Sequence, residues 1–137
     1  MASRGSEDQE EVPQTHPDAI WANTLLARVL MQQGKRVEAQ PFLRDLAEQS
    51  KAQTLNQWAW EMATSDDPKL RDGPTAVMFA EKAVAATIRK NPQILDTLAA
   101  AYAEVGQFAK AVTVQQEAIA LLQDEEQKKE CTFRQAI

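Results

Sequence analysis

The chain is poor in the residues that build chemical sites. Its 137 residues include one cysteine, Cys131, and one histidine, His16. A single cysteine excludes an internal disulfide and a thiolate metal site. No serine or cysteine has a plausible base beside it, and no Gly-x-x-x-x-Gly-Lys phosphate loop is present. Basic charge is also in deficit, with 15 Lys and Arg against 20 Asp and Glu, a net charge of −5. Nucleic-acid binding needs a basic stripe that displaces counterions, so it is not expected. Long apolar runs are missing as well. None approaches the roughly 20 residues that span a bilayer. No basic start leads into an apolar stretch as in a signal peptide. Direct membrane insertion is therefore not expected, and the compartment stays open.

What the chain does have is a two-helix pattern stated three times. The first helix of each pair carries Leu26-Ala27-x-x-Leu30, Trp58-Ala59-x-x-Met62 and Leu98-Ala99-x-x-Tyr102. The second carries Ala39-x-x-x-Leu43-x-x-Leu46, Ala76-x-x-x-Ala80-x-x-Ala83 and Ala111-x-x-x-Gln115-x-x-Ala118. Apolar or small residues at these spacings line one face of a helix. No segment alternates as a strand does, so the chain reads as all-α.

Punctuation residues set the boundaries. Residues 1–16 are polar, acidic and aperiodic, a composition that favours a disordered leader. His16-Pro17-Asp18 opens the first helix, and Gly34 closes it as a left-handed cap residue. A second helix is expected from about Val37 to Ser50, best started near Glu38 because Pro41 is tolerated only early. The third spans about Ala52 to Thr64, and the turn-rich Ser65–Gly73 follows. Pro74 starts the fourth helix, which ends near Arg89. Asn91 and Pro92 start the fifth, which stops at Gly106. The sixth covers about Phe108 to Leu122. The charged residues from Asp124 onward, within 124–137, form either a capping helix or a frayed tail. The aspartates at 66, 67 and 72 lack the ligand number and cadence of a calcium loop, and Lys69 and Arg71 interrupt them. They read as a solvated turn with helix-capping side chains, and neither metal nor cofactor is expected.

Spacing supports a true repeat. Thirteen residues separate Leu26 from Ala39 and Leu98 from Ala111, whereas eighteen separate Trp58 from Ala76. The five extra residues fall in the Ser65–Gly73 stretch, and a loop insertion of that kind leaves helix packing intact. The repeats occupy about 20–51, 52–91 and 92–125, with the repeat region as a whole at 17–123.

These residues resemble the tetratricopeptide repeat family, whose helix A sets large, small and large residues before a closing glycine. The third repeat matches best, through Leu98, Ala99, Tyr102, Gly106, Phe108, Ala111 and Ala118. The first has Arg36 where an aromatic is usual, and the second lacks the glycine at the normal place. Leu55–Trp60, Asp67–Gly73, Ala80–Val84 and Leu95–Tyr102 look like a bacterial cassette of this family. That cassette occurs at the C-terminus of longer proteins, including membrane glycosyltransferases and outer-surface or secreted factors. The resemblance implies a right-handed α-solenoid of three helix pairs whose helix-A groove binds extended peptides or short helices.

Carried over position by position, the family's groove residues fall on Trp21, Thr24, Arg28 and Gln32 in the first repeat. They fall on Gln53, Asn56, Trp60 and Thr64 in the second, and on Gln93, Asp96, Ala100 and Glu104 in the third. Trp58 and Trp60 lie about 200° apart on a helix, so they face opposite sides. Trp58 is the packing residue. Trp60 either lines the groove or packs on the neighbouring first helix, and Trp21 either lines the groove or covers the end of the stack. Family members that grip a C-terminal carboxylate place Lys or Arg on the third helix A. Here Asp96 and Glu104 stand there and repel such a ligand. The expected partner is a protein or peptide of basic or polar character. A self-associating spacer that forms a homodimer, and an accessory domain of a larger enzyme, are the competing expectations.

Overall fold

The computed structural model describes residues 20–136, with side chains through residue 130. The expected leader, His16 and the Cys131 thiol lie outside the described side chains. The described residues form helices and no strand. We number the helices α1 (Ile20–Gln32), α2 (Arg36–Gln49), α3 (Ala52–Thr64), α4 (Gly73–Ala86), α5 (Pro92–Glu104) and α6 (Phe108–Ala136). They divide into two compact units, one ending at Ser50 and the other beginning at Lys51.

The first unit pairs α1 with α2. Ala27 and Met31 of α1 are buried, as are Ala39, Leu43, Leu46 and Ala47 of α2. Gly34, at φ +81°, supplies the left-handed residue that ends α1. The Lys35 N–H donates to Leu30 O at 2.8 Å and the Gly34 N–H to Met31 O at 2.9 Å, which satisfies two otherwise unpaired helix-end carbonyls. Helix α2 begins at Arg36, ahead of the start near Glu38 that would suit Pro41 best. Pro41 therefore sits inside the helix, where it has no N–H to offer the Val37 carbonyl. Val37 is exposed, so water can take that role.

The second unit holds α3 to α6. Helix α4 packs on α3 and α5, α3 packs on α5, and α5 packs on α6. Its core includes Leu55, Trp58 and Met62 of α3, Phe79 and Val84 of α4, and Leu95 and Leu98 of α5. The Trp58 and Phe79 rings lie 6.1 Å apart and tilted by 52°, a favourable aromatic geometry. Ala76, Ala80 and Ala83 are fully buried on α4, where small side chains let neighbouring helices approach closely.

The inserted turn is held by its own polar residues. Asp67 Oδ1 accepts from the Lys69 N–H at 3.0 Å, and Asp72 Oδ1 accepts from the Thr75 N–H at 3.3 Å as the cap of α4. Asn91 Oδ1 caps α5 by accepting from the N–H groups of Gln93 and Ile94. Gly106, at φ +82°, repeats the geometry of Gly34 at the end of α5. Helix α6 then runs 29 residues without interruption, so the charged segment after Leu122 continues the same helix. Among the described residues, no helix is long and apolar enough to cross a membrane.

Candidate partner-binding groove

In the second unit, period alone turns Trp60 away from the core. Two residues along α3 from the buried Trp58, which is 3% exposed, Trp60 is 46% exposed. It lines a cleft of about 310 Å³ with Asp96, Ala99 and Ala100 of α5 and Ala111, Val112 and Gln115 of α6. A second cleft of about 280 Å³ adjoins it along α5 and α6. Pro92, Gln93, Asp96, Gln115, Ala118, Ile119 and Leu122 line that one. Asp96 and Gln115 belong to both clefts. The walls are mainly apolar, and Asp96 is the only ionisable side chain among the residues named. Such a surface can hold apolar side chains and one cation, and it offers no nucleophile paired with a base.

The Asn91 cap places Asp96 by fixing where α5 starts. With Ile94, Leu95 and Leu98 buried, Gln93 and Asp96 are left on the open side. Alanines at 99, 100 and 111 keep the floor of the first cleft shallow.

The expected groove residues are distributed unevenly. Trp60, Gln93 and Asp96 come together in the two adjoining clefts. Asn56 is half-buried, and its side-chain carbonyl oxygen accepts no hydrogen bond. The Thr64 hydroxyl donates to Trp60 O at 2.7 Å, and the Thr24 hydroxyl to Ile20 O at 2.8 Å, so both protons are used within their own helices. Glu104 lies at the far end of α5, with its carboxylate 3.9 Å from Arg71 Nε. In the first unit, Trp21 and Gln32 are exposed on α1 and Arg28 is half-exposed.

Helix α6 contributes residues that helix-A reasoning missed: Val112, Gln115, Ile119 and Leu122. Their spacing is in the sequence, but not whether another helix covers them. Phe108, Val112, Gln115, Ile119 and Leu122 follow alternating steps of four and three, the spacing of a helix seam.

A separate polar network ties α4, α5 and α6 together. The Tyr102 hydroxyl donates to Glu81 Oε2 at 2.7 Å, and Lys110 Nζ stands 5.5 Å from the centre of the Tyr102 ring. Burial, and then the Glu81 hydrogen bond, push the Tyr102 hydroxyl up to about 12. Arg89 forks onto Glu117 through Nε to Oε2 at 2.8 Å and Nη2 to Oε1 at 2.6 Å. Those bonds hold Glu117 below the usual carboxylate range.

Set against protein-family models, characterised proteins and solved structures, the chain matches none.

Proposed function

We propose that the chain is a non-catalytic protein-interaction scaffold of the tetratricopeptide type, with its pairs forming a right-handed α-solenoid. Its partner is a peptide or protein segment that seats an apolar side chain against Trp60 and a Lys or Arg beside Asp96. The observation that carries this reading is the single cleft lined by both Trp60 and Asp96. A half-exposed tryptophan over an alanine floor offers a large contact area that is already rigid, the usual make-up of a binding anchor. The lone carboxylate selects a cation over an anion at its edge. The two glycine-closed first helices, ending at Gly34 and Gly106 with the same hydrogen bonds, favour a repeat architecture.

Selection from a random peptide library displayed on phage tests this reading. Enriched peptides should pair an apolar residue with Lys or Arg and lose binding by about 30-fold or more with Trp60→Ala. Asp96→Lys should weaken the same peptides. Enrichment of acidic peptides, or binding indifferent to both changes at unchanged helicity, would contradict it.

A further inference from the structure

Helices α4 and α6 are the second helices of consecutive pairs, in register through Ala76 and Ala111. In that register Gly73, Val77, Ala80 and Val84 of α4, with Thr87 just after it, correspond to Phe108, Val112, Gln115, Ile119 and Leu122 of α6. On α4 this stripe begins where α5 comes closest. A Cβ on Gly73 would meet Val105 at the end of α5, and α4 packs along α5. Val84 is accordingly 2% exposed. Its counterpart Ile119 is 47% exposed, and Phe108, Val112 and Leu122 are exposed with it. Among the described residues, the stripe therefore stands open on α6.

We propose that this terminal face of α5 and α6 is a second docking site, which takes one basic amphipathic helix from a partner protein in the position of a next helix. The apolar part of the occupant follows from the stripe. Ile119 and Leu122 flank the 280 Å³ cleft, and steps of four and three admit the side chains of a single facing helix. Charge sets the rest. Asp96 is the ionisable side chain in that cleft. Beyond Leu122, Glu125 and Glu126 line the adjoining surface, with Lys129 as its one cation. A facing helix with Lys or Arg flanking its apolar stripe meets these carboxylates, whereas an acidic helix is repelled. This site overlaps the Trp60 cleft at Asp96, Val112 and Gln115, but Trp60 itself lies outside it, and Ile119 and Leu122 lie outside the Trp60 cleft, so the two readings can fail separately.

The test uses a fluorescently labelled synthetic helical peptide of about 20 residues, long enough to hold a helix, with a leucine stripe flanked by lysines. A counterpart has glutamates at the lysine positions. Anisotropy titration against the full chain should show the lysine peptide binding at least about 10-fold more tightly than the glutamate peptide. Ile119→Asp should weaken the lysine peptide about 10-fold or more. That change adds negative charge, so attraction by net charge alone would strengthen binding instead. Trp60→Ala should leave this affinity within about 2-fold, which separates the two readings. Leu122→Asp, at another exposed position of the stripe and outside the Trp60 cleft, gives the same readout if Ile119→Asp lowers helicity. Equal binding of the two peptides, or unchanged binding in the stripe variants, would overturn the proposal. So would light scattering that shows a dimer broken by Ile119→Asp, since a second copy would then be the occupant.

Discussion

Gly73 and Val105 are so close that a Cβ on Gly73 would lie 2.6 Å from Val105 Cγ1. They come from the start of α4 and the residue that ends α5, and Gly73 is buried there. The absent side chain lets the turn after the inserted loop press against the end of the next helix.

Gly73→Ala should therefore destabilise the protein by about 1–3 kcal/mol, the usual range for overpacking a closed contact. Urea unfolding followed by circular dichroism reads the change. Val105→Ala in the Gly73→Ala background should recover part of the loss, because it removes the methyl group that the new Cβ meets.

Ile88→Gly should stabilise. Just after the Thr87 cap of α4, Ile88 at φ +54° and Arg89 at φ +53° lie in the left-handed region. The Ile88 N–H donates to Ala85 O at 3.1 Å and the Arg89 N–H to Val84 O at 3.0 Å, the same bonds that Gly34 and Gly106 make possible elsewhere. A β-branched residue in this conformation costs about 1–2 kcal/mol, and the exposed Ile88 recovers little by packing. Part of the relief is offset by the greater freedom of glycine in the unfolded chain. A net gain of about 1 kcal/mol, or a few degrees in Tm, is expected from thermal melts.

Stability should fall at both ends of the pH range, for opposite reasons. The fold holds the Tyr102 proton more tightly than the unfolded chain does, raising the hydroxyl from 10.0 to about 12. That contribution is complete below pH 10 and is lost as the pH rises from about 10 to about 12. Glu117 is shifted down, chiefly by its hydrogen bonds from Arg89. Its contribution is present above the ordinary glutamate value of 4.5 and is lost as the pH falls through the depressed one. Denaturant melts across pH should show the stability gap between wild type and Tyr102→Phe narrowing above pH 10. The gap for Glu117→Gln should narrow in acid.

Local signals in the sequence marked most helix ends, because a cap needs only its neighbours. Gly34, Asn91 and Gly106 each end or start a helix through bonds within a few residues. The opposite orientations of Trp58 and Trp60 follow from helical period in the same way. Longer-range features were not legible. The sequence marks Gly73 as a turn residue, but its closeness to Val105 depends on how α4 meets α5. Ile88 has no side-chain trait that predicts a left-handed helix end. The share of α6 in the clefts depends on what covers its stripe, which periodicity does not reveal. Val84 and Ile119 hold equivalent positions in sequence, yet only Val84 is buried.

The most direct test of the central claim is a nuclear magnetic resonance titration of the isotope-labelled chain with a phage-selected peptide. The account predicts shift changes centred on the Trp60 indole, on Asp96 to Ala100 of α5 and on Val112 to Gln115 of α6, all abolished by Trp60→Ala. Shift changes confined to other surfaces, with the Trp60 indole unmoved at saturation, would contradict it.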